Sequence, residues 1–394
     1  MTQYDYDAIV LEAGGAGLMA AATAGQAGAR VLLIDHANKP GKKILISGGG
    51  RCNFTNTGTE PENFLSENPH FAKSALSRYT QWHFLALVER YGIAWHEKTL
   101  GQLFCDGTAR QIVGMLLEEC IRGGVEIRLS TAIGDIGHAD GRFEVAGAAA
   151  DQLVIATGGP SIPKMGATSV AYDIARRFGL SVVTPRPALV PFTLGEEDAL
   201  YKGIPGIAFP AEARVRDVAF EEAALFTHNG LSGPAILQVS SYWAPGDRVS
   251  LCVLPDAGAV LRAARKEMPK AQLKAALSRH LPTRLAEVLA IRIGLERELG
   301  NCSDAELSEA ATTLGALTFL PTGTEGYAKA EVTAGGIATA ALSSRTMEAR
   351  DVLGLYAIGE AVDVTGWLGG YNFQWAWSSG VAAGLAIAER VKDG

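Results

Sequence analysis

The residues best placed to do chemistry fall in two glycine clusters flanked by charge. The first, Glu12-Ala13-Gly14-Gly15-Ala16-Gly17, follows the apolar run Tyr6 to Leu11 and occupies the frame of a GxGxxG fingerprint. In that motif the first glycine permits a tight turn, the second lets backbone approach a pyrophosphate, and the third lets the helix pack closely on the strand. Gly14 and Gly17 keep the second and third functions, with Ala16 between them, and the helix N-terminus still offers free N–H groups to phosphate. Glu12 stands where the first glycine belongs. It asks for an unfavourable backbone conformation and adds negative charge near a dianion, so weakened binding is expected rather than none. Asp35, followed by His36, closes the next apolar run, at the spacing of an acid that hydrogen-bonds a ribose.

The second cluster runs from Lys42 to Asn53 and holds Ser47-Gly48-Gly49-Gly50-Arg51. Three consecutive glycines are costly to order, and they make sense where backbone N–H groups approach a ligand's oxygens. Lys43 and Arg51 would add positive charge beside phosphate. A solvated basic turn is the competing reading. Cys52 is either a thiol activated by Arg51 or, as is commoner, an inert buried cysteine. His228, in FTHNGLSG, is a base, a substrate anchor or a structural histidine held by backbone. Trp367, Trp375 and Trp377 form either an aromatic wall for a substrate or part of the core.

The elements that must position these residues begin with a βαβ unit: strand Tyr6 to Leu11, helix Leu18 to Ala27, strand Arg30 to Asp35. Near-continuous apolar strands of this kind suit a parallel sheet covered on both faces. Helical periodicity recurs at Tyr79 to Tyr91 and Thr108 to Arg122, and strands are expected at Val125 to Leu129, Arg142 to Val145, Gln152 to Ala156 and Gly354 to Ile358. Prolines between Pro185 and Pro210 mark a β-rich stretch with strands at Glu212 to Val218 and Arg248 to Leu254. From Val260 to Thr318 the pattern is helical, and a last helix is expected from about Trp375 to Val391.

The chain has 394 residues, enough for two or three units. Its 35 Lys and Arg against 42 Asp and Glu give a formal charge of -7, with no electrostatic footprint for nucleic acid or an anionic membrane, so a small-molecule substrate is expected and neither of those partners. The five cysteines lack zinc spacing, so no metal is expected and a reduced cytoplasm fits best. Met1 to Asp7 lacks the basic and apolar pattern of a leader, and no apolar run is long enough to span a bilayer.

The blocks ISGGGRCNFTN (Ile46 to Asn56), FTHNGLSGPAIL (Phe226 to Leu237), VTAGGI (Val332 to Ile337), TMEARDVLGLYAIGEAVDVTG (Thr346 to Gly366) and GGYNFQWAWSSGVAAG (Gly369 to Gly384) resemble those of the bacterial aminoacetone-oxidase-type NAD(P)/FAD-dependent oxidoreductases. The resemblance spans nearly the whole chain. It implies an α/β fold similar to glutathione-reductase-like flavoproteins, with a Rossmann-type FAD-binding domain built from both chain ends (1–190 and 341–394). A β-barrel-like substrate domain (191–258, returning at 319–340) and a helical insertion (259–318) complete the implied architecture. Carried over by position, Gly14, Ala16 and Gly17 would face the pyrophosphate, Asp35 and His36 the adenosine ribose, and Lys43 with the loop Ser47 to Asn53 the phosphates and flavin. Ile133 would meet the adenine, and Ala156, Thr157 and Gly158 would close over the adenosine half. Gly359, Glu360 and Asp363 would hold the ribitol and pyrophosphate. Gly370, Asn372 and Phe373 would approach the isoalloxazine.

The chemistry expected is flavin-based oxidation or reduction of a small organic substrate, with His228, Tyr371 and Asn372 as candidate catalytic groups. No second GxGxxG frame and no CxxxxC pair occur, which favours an oxidase or desaturase over a disulfide reductase. Three functions stay open: an amine-type oxidase, an NAD(P)H-using reductase of a C=C bond, and a redox-silent binding protein whose FAD site Glu12 has impaired. Oligomeric state is not legible.

Overall fold

The computed structural model describes residues 4–393; Met1–Gln3, part of the stretch weighed as a leader, and Gly394 lie outside the described residues. The chain forms two compact units, Met1–Arg186 with Val332–Gly394, and Pro187–Glu331. Both chain ends therefore enter the first unit, and Val332–Ile337, expected in the β-rich return, lies there too.

The first unit is built on a sheet whose central strand, Tyr4–Leu11, pairs in parallel with Val31–Ile34 on one side and Ala148–Ile155 on the other. Glu126–Arg128 extends the parallel order beyond Val31–Ile34. Ala148–Ile155 serves two further neighbours: residues 148–150 pair antiparallel with Arg142–Val145, and residues 153–155 pair parallel with Leu355–Ala357. Ala8, Ile9, Val10 and Leu11 are fully buried, as a sheet covered on both faces requires. This is the Rossmann-type arrangement expected, completed by a strand from near the far end of the chain.

Helix Gly15–Gln26 follows the central strand, starting three residues earlier than expected. It packs on the last helix, Tyr371–Asp393, and glycine makes that packing possible. A Cβ at Gly380 would lie 2.8 Å from the Ala16 carbonyl oxygen, and one at Gly384 would lie 2.7 Å from that of Ala20. Larger residues would force the helices apart. The last helix begins four residues before the expected Trp375, directly after Gly369 and Gly370.

The second unit holds a seven-stranded sheet around the hairpin of Ala208–Val215 and Val218–Phe226. The sequence suggested one strand over Glu212 to Val218; instead the chain reverses at Arg216 and Asp217, with Arg216 in the left-handed region at φ 51°. The helical segment contains Ala257–Glu267, Leu273–Leu277, Thr283–Ile293 and Asp304–Gly315. The last of these starts on a reciprocal cap in which Glu306 N donates to Ser303 Oγ and Ser303 N donates to Glu306 Oε2. Among the described residues no helix is long and apolar enough to cross a membrane, and no group of three His, Cys, Asp or Glu is placed to hold a metal ion.

Candidate dinucleotide site

The site forms in the first unit, where the central strand stops and the chain turns into helix Gly15–Gln26. Glu12 makes that turn with φ 75°, a conformation suited to glycine. Gly17 permits the expected close packing, since a Cβ there would sit 2.0 Å from the Glu12 carbonyl oxygen. At Gly14 a Cβ would meet no heavy atom within 4 Å, so backbone is bare on the side where a ligand would approach.

The Glu12 carboxylate turns to His36, with Oε1 2.9 Å from Nδ1. Burial pushes its pKa up to about 7; His36 works against that rise and Asp35 adds to it. Asp35 binds its own neighbourhood: Oδ2 accepts from Ala13 N at 3.0 Å and Oδ1 from Ala37 N at 2.7 Å. It thus clamps the fingerprint turn to the end of the second strand, and each oxygen keeps a lone pair for a ribose hydroxyl. The segment leading to Ile133 is tied to the same place, through Ser130 N to Ala37 O and Thr131 N to Asp35 O, both 2.9 Å.

Gly48, Gly49 and Gly50 have φ of 56°, 67° and 86°, so the triple glycine is required by three successive left-handed residues. Gly49 faces open space, and Arg51 is exposed. Cys52 is buried, and burial pushes its thiol up to about 12, which makes it the inert alternative rather than the activated one.

Lys43 departs from its expected partner. Its Nζ lies 2.5 Å from Glu360 Oε2 and 2.6 Å from Ser161 Oγ, while Ser161 Oγ donates to Glu360 Oε1 at 2.7 Å. Glu360 Oε1 also accepts from Thr333 N at 3.0 Å. A lysine beside an anionic glutamate gains a fixed charge partner, so Lys43 joins the two chain ends instead of standing free for phosphate. Gly359 completes the join: at φ 63° its Cβ would lie 2.8 Å from that of Ala16. Asp363 accepts from Glu67 N at 2.9 Å through Oδ2, and burial raises its pKa.

At the other end, Gly370 has φ 100° and its Cβ would lie 2.4 Å from the Thr55 carbonyl oxygen. The glycine loop and the segment 359–372 therefore converge. Asn372, a candidate catalytic residue, spends its amide on backbone: Oδ1 accepts from Gly366 N and Nδ2 donates to Gly366 O, both 2.8 Å. Tyr371 is buried in edge contacts with Phe64 and Trp367, and Phe373 stacks on Trp377. Trp375 Nε1 donates to Gly359 O and Trp377 Nε1 to Phe54 O, so these two buried tryptophans are core. His228 belongs to the second unit, exposed on the turn after Val218–Phe226.

The residues fit a dinucleotide. Bare backbone at Gly14 and Gly49 supplies the cradle, and the hydroxyl oxygens of Thr157 and Thr333 are buried with no hydrogen-bond partner among the described residues. Ser161 and Thr333 were not singled out from the sequence, although Thr333 lies in the VTAGGI block. Replacing Thr157 by valine is expected to leave the ligand-free protein as stable or about 1 kcal/mol more stable, since an unsatisfied buried hydroxyl is removed. The same change should weaken FAD binding several-fold in a fluorescence titration. Unchanged affinity would assign Thr157 to packing alone.

Comparisons with known proteins agree with the fold. The model of the HI0933-like protein Rossmann domain matches residues 6–386. The chain is 51% identical over 391 residues to a ribosomal RNA dihydrouridine synthase of Escherichia coli (strain K12), covering 95% of this chain and 96% of that one. It is 29% identical over 411 residues to a 3-dehydro-bile acid delta(4,6)-reductase of Clostridium scindens, covering 97% and 98%. Among solved structures, the apo Sdh1 complex of Mycobacterium smegmatis superposes with a TM-score of 0.50 at 16% identity, covering 100% of this chain and 69% of that one; this is a likeness of fold.

Proposed function

The chain belongs to the HI0933-like Rossmann family, and from that premise we propose that it is an FAD-dependent reductase that saturates the C5=C6 bond of uridine in ribosomal RNA. The observation that supports this most is the 51% identity, sustained along nearly the whole chain, to a ribosomal RNA dihydrouridine synthase. The bile-acid relative supports the same reaction class. Its name denotes reduction of double bonds conjugated to a ketone, and the uracil C5=C6 bond is likewise conjugated to a carbonyl.

This reading takes up the C=C reductase among the expected functions and sets aside the amine oxidase, since both relatives are named for other reactions. It departs from the expectation of a small-molecule substrate and no nucleic acid, because net charge is a sum over the chain and says little about one surface. Bound FAD would supply two-electron hydride chemistry. The net reaction is uridine, NAD(P)H and a proton giving 5,6-dihydrouridine and NAD(P)+, with the nicotinamide visiting the flavin site in place of a second nucleotide domain. In that scheme Gly14, Gly49 and Thr157 hold the dinucleotide by backbone and hydroxyl, and the Lys43–Glu360 pair keeps the two halves of the cradle closed.

The test is anaerobic incubation of the FAD-loaded protein with NADPH and unmodified ribosomal RNA, followed by mass spectrometry of the nucleosides. Uridine should gain two hydrogens. Bleaching of the flavin by a small amine, with no dihydrouridine formed, would return the oxidase reading.

A further inference from the structure

The chain is acidic as a whole, yet the helical segment 257–315 carries nine Lys and Arg against seven Asp and Glu, all nine cations lying in residues 257–301 beside only four of those acids, while the rest of the chain carries 26 against 35. Charge is thus segregated. The segment's first three helices, Ala257–Glu267, Leu273–Leu277 and Thr283–Ile293, turn Leu261, Leu273, Leu277, Leu285 and Leu289 inward, and the cations stay outside.

Four of those cations serve the helical segment itself, two of them through its last helix: Arg265 pairs with Asp304 at 2.6 Å and Arg297 with Glu306. Lys274 pairs with Glu287 at 2.7 Å and Arg279 with Glu267 at 3.0 Å, which fastens the later helices to each other and to the first. Arg262, Lys266 and Lys270 are exposed and have no carboxylate within salt-bridge distance among the described residues. Arg262 and Lys266 share one face of their helix, a turn apart. Lys270 follows on a loop pinned from both sides, where Gly300 N donates to Pro269 O and Leu299 N donates to Ala271 O, each 2.8 Å. Three cations held on ordered backbone, with no acid recruited to them in an acid-rich chain, are suited to an anionic partner.

We propose that this basic subdomain docks ribosomal RNA through its phosphate backbone, with Arg262, Lys266 and Lys270 as the contacts. The proposal rests on the ribosomal RNA reading above. Contacts of this kind give affinity and salt dependence but no sequence choice, which falls to the groups around the reduced base.

The experiment compares the FAD-loaded wild type with the triple variant Arg262→Ala, Lys266→Ala, Lys270→Ala on unmodified ribosomal RNA across a potassium chloride series. At about 0.1 M salt the variant's Kd should rise on the order of tenfold, and its slope of log K against log salt should flatten by about 2. Flavin reduction by NADPH without RNA should be unchanged, which also reports that the variant is folded and loaded. A second variant, Lys266→Glu with Lys270→Glu, should bind more weakly still. A wild type that binds and reduces the RNA beside variants with the same Kd and slope would overturn the docking surface alone. A wild type that neither binds nor reduces it would overturn the functional reading and the docking surface with it.

Discussion

Glu12→Gly is expected to tighten FAD binding by about tenfold. A non-glycine residue at φ 75° carries a backbone cost of about 1 to 2 kcal/mol, but the ligand-free protein already bears it, so its removal stabilises the fold and not the complex. The gain in affinity is electrostatic. The Glu12 carboxylate sits partly buried in the turn that must receive a dianionic pyrophosphate, with His36 at 2.9 Å as its counter-charge. Because burial already pushes Glu12 up to about 7, it is half-ionised near neutrality, and an adjacent dianion favours the protonated form further. Wild-type affinity should therefore fall as pH rises through and above 7, while the glycine variant's affinity stays flat. Fluorescence titrations from pH 6 to 8.5 check this, and equal Kd values with parallel pH profiles would refute it.

The same carboxylate should mark stability. Its pKa is raised from the ordinary 4.5 to about 7 on folding, so the folded state favours the proton. Stability from this group is fully present below pH 4.5 and is lost as pH climbs through about 7, by on the order of 3 kcal/mol. Denaturant titrations of the ligand-free protein should show that loss, and Glu12→Gln should abolish it.

Gly370→Ala is expected to be severely damaging. At φ 100° an alanine is strained whatever the space around it, and its Cβ would press to 2.4 Å from the backbone oxygen of Thr55. The two nearest atoms, the Thr55 carbonyl oxygen and carbon, are backbone and cannot swing aside as a side chain would. The variant should lose about 3 kcal/mol or more of stability by the usual scale of backbone strain and overpacking. It should also purify without flavin absorbance. Normal flavin content and an unchanged melting temperature would show that the turn before the last helix has more freedom than its geometry implies.

The βαβ start was legible because it depends on local signals: an apolar strand, glycines at the turn, an acid closing the second strand. The assembly of both chain ends into one unit came from longer blocks rather than periodicity, and the Lys43–Glu360 contact bears it out. Individual side-chain partners were not legible. Lys43 read as a phosphate ligand because its sequence neighbours are glycines, but its partner lies 317 residues away. Asn372 read as catalytic because polar residues beside a flavin segment invite that reading, yet its amide holds the backbone of Gly366. Arg216 shows the limit for strands: β-favouring residues on both sides of a two-residue turn read as one continuous strand.

The first unit's sheet takes its strand Leu355–Ala357 from a stretch made long after its other strands. During synthesis the growing chain must carry an open-edged half-domain while the 145 residues between Arg186 and Val332 are added. At 5 to 20 residues per second that leaves about ten to thirty seconds between residue 186 and the arrival of the closing strand. Pro187–Glu331 has its own core and can collapse meanwhile, so nascent-chain protease sensitivity should persist at the edge of Ala148–Ile155 and vanish only near release.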